Sequence, residues 1–252
     1  MNEAAPASIV LGVAVVFARV GGVFLIAPGL SSLRVPVMVR VFLALAVALV
    51  IAPLLIERAI AVVGPATPAD LVAVIGTESL IGLLIGLLTR LLLMALQTMS
   101  VGVANAVGLG GIPGTSIDGN EPSQAAASLF MVTAVTVIFL ADLHYEIIRS
   151  LLASYEVLAP GSALDPRAAL VAVSDRFGAA FLVALRLVAP FIIYSVIVNF
   201  AVGLTNKLTP QIPVFFVALP FITAGGVLMI AVTIREMMIA FMDAFRQLSA
   251  AL

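Results

Sequence analysis

Four charged side chains stand where charge is expensive. Arg19, Glu78, Arg90 and Arg186 all lie inside long apolar stretches, and ionisable groups in such segments face protein or a water-filled cavity. They could line an ion or proton pathway, or they could pair between subunits and cap exposed carbonyls. A proton relay needs more carboxylates at mid-membrane depth than this chain offers, so the pairing role is favoured. Glu78 and Arg90 sit about 18 Å apart along one helix and cannot pair with each other within it. Asp142, His144 and Glu146 have the residue types of a metal site. On a helix, Asp142 and Glu146 share a face while His144 points about 160° away, so one helix cannot gather all three. No metal site is expected there; Glu146 and Arg149 are instead spaced to pair at i,i+3.

The segment Gly108-Leu109-Gly110-Gly111-Ile112-Pro113-Gly114-Thr115-Ser116-Ile117-Asp118-Gly119 has the glycine content of a phosphate-binding loop. It lacks the Gly-Lys-Ser/Thr ending of a P-loop, has Pro113 where a dinucleotide fingerprint needs a third glycine, and follows a helical stretch. No nucleotide or other cofactor is expected. Leu109, Ile112 and Ile117 are apolar, so the loop suits a place where chains approach closely on a permissive backbone. Cys is absent, which removes thiolate catalysis and disulfides. No Ser–His or Lys pairing stands out, so no catalytic residues are assigned and an enzyme is disfavoured.

The elements that must carry these residues follow from composition. Of 252 residues, 63% are hydrophobic and 10% charged, with a mean hydropathy of +1.28. An interior of this size cannot hide so much apolar side chain, so lipid or protein partners must cover the rest. A net charge of −1 without a basic run argues against nucleic acid. The acidic N-terminus lacks a signal peptide's basic region and is read as the start of a retained membrane helix. Apolar runs cover 8–27 and 37–56, each near the ~20 residues that cross a ~30 Å hydrocarbon core. Thr67-Pro68-Ala69-Asp70 is a helix start, and no proline then interrupts 71–107, about 55 Å of possible helix. A glycine-rich loop, 108–122, follows with five glycines. Further helices start near Ser123, at Asp165-Pro166 (with Pro190 expected to kink it) and at Val214. The sequence therefore predicts an all-α, polytopic membrane protein: one domain over 1–252 with about six main helices, two or three longer than a bilayer crossing. Gly82 with Gly86, and Gly102 with Ala106, are small-xxx-small pairs that allow close helix packing.

Asn206-Lys207-Leu208-Thr209-Pro210-Gln211-Ile212-Pro213-Val214-Phe215-Phe216, with Pro220 beyond, resembles the best-marked stretch of the FliR family of flagellar and type III secretion export-gate subunits. Arg19, Ala27-Pro28, Ser31, Val35-Pro36, Arg40 and Pro53 fall in that family's order. So do Glu78 with Gly82 and Gly86, Ala141-Asp142-Leu143-His144, Ser154-Tyr155 and Pro160-Gly161. The resemblance implies helical hairpins within a hetero-oligomeric gate at the flagellar basal body in the bacterial inner membrane. Its partners would be FliP-like and FliQ-like gate subunits, FlhB-like and FlhA-like export components, unfolded export substrates and membrane lipid. It implies a pore plug at Gly108, Leu109, Gly110, Gly111, Ile112, Pro113, Gly114, Ile117 and Asp118. Helix packing or subunit contact would fall to Gly82, Gly86, Arg19, Arg40, Glu78, Pro210 and Gln211. The Ala141-Asp142-Leu143-His144 stretch favours a flagellum over the equivalent subunit of a virulence injectisome. The alternative is a small-solute secondary transporter with Arg19, Glu78 and Arg186 lining its site. Such transporters often show internal repeats, and only the two cap-then-proline starts at Thr67 and Asp165 hint at one.

Overall fold

The structure, a computed structural model, describes residues 6–32, 35–110, 113–114 and 123–250. Seven α-helices account for nearly all of them: α1 Pro6–Ile26, α2 Val37–Val63, α3 Pro68–Ala106, α4 Ala125–Leu140, α5 His144–Val157, α6 Pro166–Leu208 and α7 Val214–Ala250. The fold is all-α; among the described residues the strands are one antiparallel pairing of two-residue segments, β1 Pro113–Gly114 and β2 Ser123–Gln124. Among the described residues five helices are long and apolar enough to cross a membrane, giving six spans if α4 and α5 count as one broken crossing. The chain is membrane-embedded. Three helices have 39, 43 and 37 residues (α3, α6 and α7), well past the ~20 that one crossing needs.

Local chemistry sets the helix ends. The Thr67 N–H donates to Asp70 Oδ2 at 3.0 Å and the Asp70 N–H to Thr67 Oγ1 at 3.3 Å, a reciprocal capping box in front of α3. Asp165 Oδ1 accepts from the Arg167 N–H at 2.9 Å, so the second cap-then-proline start behaves alike. At the other end of α3, Gly108 takes φ +75°. The Gly108 N–H reaches the Asn105 carbonyl at 3.2 Å, and the Leu109 N–H reaches Ala104 at 2.8 Å. That pair of bonds is a Schellman stop, which needs a left-handed residue just past the helix.

Two elements differ from the sequence reading. α2 does not stop at Ile56 but continues through Glu57 and Arg58, because Ala59 and Val63 beyond them are buried. The polar stretch after Asp142, not counted among the main helices, forms α5. Ile147, Leu151 and Tyr155 recur every fourth position and are buried, which gives a short helix an apolar stripe despite its polar composition.

The contacts gather in two compact units. The first comprises Met1–Leu91, Asp142–Phe177 and Arg246–Leu252. Within it α1 and α2 form an antiparallel hairpin, with Gly12 against Ile56 and Ala59. The last turn of α7 is tied down as well. Arg176 donates to the Leu248 carbonyl, and Ser150 Oγ donates to the Ser249 carbonyl at 2.8 Å, satisfying carbonyls that a helix end leaves without partners. The second unit comprises Leu92–Ala141 and Gly178–Phe245. There Phe130 and Phe191 meet edge to face at 6.2 Å, and Tyr194 Oη donates to the Ile222 carbonyl at 2.7 Å. In each unit large apolar side chains remain outside, among them Phe42 and Leu54 in the first and Phe200, Phe216 and Phe221 in the second.

Candidate functional site

In the first unit, α1 brings Arg19 and α3 brings Glu78 to one fully buried ion pair. Arg19 Nε lies 2.7 Å from Glu78 Oε2 and Nη2 lies 3.0 Å from Oε1, a two-pronged contact with neither side chain exposed. Both partners make further bonds. Arg19 Nη1 donates to Ser154 Oγ at 3.2 Å, and Glu78 Oε1 accepts the Gly161 N–H at 2.9 Å. The guanidinium carbon stands 4.0 Å from the centre of the Tyr155 ring, a cation–π contact of the kind that strengthens away from water. Tyr155 Oη in turn reaches the Val16 carbonyl at 3.5 Å. Five residues from α1, α3, α5 and the turn after α5 thus close on one another, as buried charge requires.

The same seam depends on missing side chains. A Cβ on Gly82 would collide with the Arg19 carbonyl, one on Gly22 would lie 2.6 Å from the Ser79 carbonyl, and one on Gly86 would lie 2.9 Å from that of Val23. The glycines let the α1 and α3 backbones touch, which is what small-xxx-small spacing permits. Gly102, of the other pair, has no neighbour within 4 Å of such an atom. Within the chain Arg19, Glu78, Gly82 and Gly86 join α1 to α3, and Arg19 and Glu78 also reach α5 and the turn after it. Arg40 caps carbonyls: its Nη2 donates to Ser32 at 2.6 Å and to Val35 at 2.9 Å. Arg90 Nη1 reaches Ser31 Oγ in that same turn at 2.9 Å. Arg186 is exposed on the second unit's α6.

Of the glycine-rich loop, Gly111, Ile112, Ile117 and Asp118 lie outside the described residues. Its first residues pack on α7 within the second unit. A Cβ on Gly108 would stand 3.1 Å from Thr223 Oγ1 and 3.5 Å from Leu219, and Gly226 leaves room for Val107. Pro113 and Gly114 pair with Gln124 and Ser123, closing the base of the loop. Pro210 and Gln211 are exposed in the turn between α6 and α7. Asp142 takes a left-handed φ of 57° between α4 and α5, and Arg149 pairs with Glu146 at 3.3 Å. Among the described residues no group of three His, Asp or Glu side chains could hold a metal ion.

The profile of the family described as bacterial export proteins, family 1, matches residues 10–248. The chain belongs to that family. A curated protein named flagellar biosynthetic protein FliR, from Caulobacter vibrioides (strain ATCC 19089 / CIP 103742 / CB 15), is 29% identical over 248 residues, covering 98% of each chain. In this family-1 export protein the sequence singles out Arg19 and Glu78 together with Arg90 and Arg186, and groups the first two only in the transporter alternative, with Arg186; the structure pairs Arg19 with Glu78 and leaves Arg186 exposed. Ser154, Tyr155 and Gly161, which complete the cluster, carry no chemical signal of their own. Their only mark in the sequence was their place in the family's ordered set. The cluster is closed and self-satisfied, so its chemistry is that of a structural lock.

Proposed function

We propose that this chain is a structural and gating subunit of the flagellar type III protein-export channel, passing unfolded flagellar proteins across the bacterial inner membrane at the basal body. The observation that carries this reading is the family match from residue 10 to 248, supported by the likeness to a flagellar biosynthetic protein along almost the whole chain. Helices taller than a bilayer and apolar faces left uncovered by the chain itself suit a subunit sheathed by other proteins. Its partners in this reading are FliP-like, FliQ-like, FlhB-like and FlhA-like components. Its role is not enzymatic. The glycine-rich loop 108–122 acts as a plug: Leu109, Ile112 and Ile117 fill an apolar constriction, which blocks ions by dewetting. A solute transporter is not favoured, because Arg19 and Glu78 spend their hydrogen bonds on each other and on protein groups.

A strain lacking the gene should neither swim nor release flagellar proteins into the medium, and gentle detergent extraction of the complemented strain should yield a large hetero-oligomer. Normal swimming of the null strain, or recovery only as a small homo-oligomer, would exclude the reading.

A further inference from the structure

The first unit carries an open groove of about 370 Å3 between α1, α2 and α3. Phe17, Gly21 and Leu25 of α1, Val41 of α2 and Leu83 of α3 line it, and Arg40 also belongs to the lining. Along α1 the groove extends from Ala14 to Leu25, about 16 Å at the α-helical rise and so about half of a ~30 Å hydrocarbon core. One leaflet has that depth.

The two ends of the groove differ in charge. Ala14 and Ile75 at the far end are apolar. At the near end stand Arg40, on the first turn of α2, and the α1–α2 turn to which Arg90 also donates. No Asp or Glu occurs in 25–45 or 79–91, and among the described residues Arg40 bonds only the carbonyls of Ser32 and Val35. Those carbonyls take Nε and Nη2 of a residue that is only 9% exposed; they orient the guanidinium without cancelling its charge and leave Nη1 for a ligand. A slot one leaflet deep, greasy along its length and cationic at its mouth, complements a molecule with an acyl chain and a phosphate.

We propose that this groove holds one acyl chain of an anionic phospholipid, with the headgroup phosphate against Arg40. The inference rests on the chain being membrane-embedded, and goes beyond its role in export. Gly21 supplies a clean test. A Cβ there would meet only the Phe17 ring edge, at 4.0 Å, so a leucine can enter the slot without displacing backbone.

The experiment uses the export complex, purified and placed in nanodiscs that contain phosphatidylglycerol with a photoreactive diazirine on its acyl chain, or the matching phosphatidylcholine. After irradiation the adducts are mapped by peptide mass spectrometry. Phosphatidylglycerol adducts are expected on α1 between Phe17 and Leu25 and on Val41 or Leu83. Gly21→Leu should reduce adducts at these positions about tenfold, the equivalent of ~1.4 kcal/mol, with labelling of α6 and α7 unchanged. Arg40→Gln should lower the preference for phosphatidylglycerol over phosphatidylcholine about fivefold, the worth of one cation near an anionic surface, and Arg40→Lys should retain it. Undiminished groove labelling in Gly21→Leu overturns the proposal, as does equal labelling by the two lipids in the wild type. Crosslinks from this groove to a partner subunit in place of lipid overturn it too. Label on α6 and α7 but none in the groove sinks this inference alone, whereas no label anywhere would sink the membrane reading beneath it.

Discussion

Removing one member of the Arg19–Glu78 pair leaves the other as a lone charge in an apolar interior. Breaking such a pair costs roughly 3–5 kcal/mol, whereas replacing both members by apolar residues of similar size is often close to neutral. Glu78→Gln and Arg19→Leu should each lower the melting temperature of the detergent-solubilised protein and its level in membranes. The double variant Arg19→Leu with Glu78→Leu should be less damaged than either single variant. Singles that melt like the wild type would show that the pair does not hold this unit together. Gly161→Ala should act on the same cluster from its backbone side. Gly161 sits at φ +79°, and an added Cβ would lie 2.7 Å from Val62, so the turn would have to shift away from Glu78. At this scale the sequence singled out four charges inside apolar runs, of which Arg19 and Glu78 are buried, Arg90 is half-buried and Arg186 is exposed. It did not show that Arg19 and Glu78 meet: the two are separated by 59 positions, and their pairing is decided by how α1 packs on α3, which no local pattern encodes.

Helix starts and stops were largely legible, since caps, prolines and glycines act within a few residues. The Thr67 and Asp165 starts and the uninterrupted α3 are cases in point. α5 was not, because its stripe of Ile147, Leu151 and Tyr155 is embedded in a polar composition that a hydropathy reading averages away. The end of α2 was misplaced for a related reason: Glu57 and Arg58 look like a terminus, but exposed charges do not stop a helix whose next turn is buried. Small-xxx-small spacing was legible as a pattern and silent about which pair is used. The structure separates the two pairs, and a substitution can check the separation. Gly82→Leu should prevent α1 from seating on α3 and leave little folded protein, since the obstruction is the Arg19 backbone and not a movable side chain. Gly102→Leu should fold normally and gain a few tenths of a kcal/mol or more from helix propensity. Limited proteolysis of the two variants in membranes is a sufficient readout; equal sensitivity would contradict the assignment of the close contact to Gly82.

On the scale of the whole molecule the chain leaves apolar surface that lipid or other proteins must cover. Its long helices exceed a bilayer, and aromatic side chains such as Phe42, Phe200 and Phe221 stay largely exposed, which a monomer in water could not sustain. A subunit built this way needs a seal wherever its assembly encloses a path for unfolded chain, because a route wide enough for polypeptide passes ions freely. We propose the glycine-rich loop as that seal. Its entry is fixed by the Gly108 Schellman stop and the packing of Val107 on Gly226, and its base is closed by the β1–β2 pairing. Deleting 110–115 spares Gly108 and the end of α3 but removes β1 and Ile112, so the helix frame survives while the seal is shortened. Proteoliposomes holding the assembled complex with this deletion should then leak potassium severalfold faster than those with the wild-type complex, at equal protein content. Leakage at the wild-type rate from a fully assembled deletion complex would remove the plug from the account. Leakage with retained assembly would place the barrier to ions in these few residues, and not in the end of α3 and the α7 contacts that carry them.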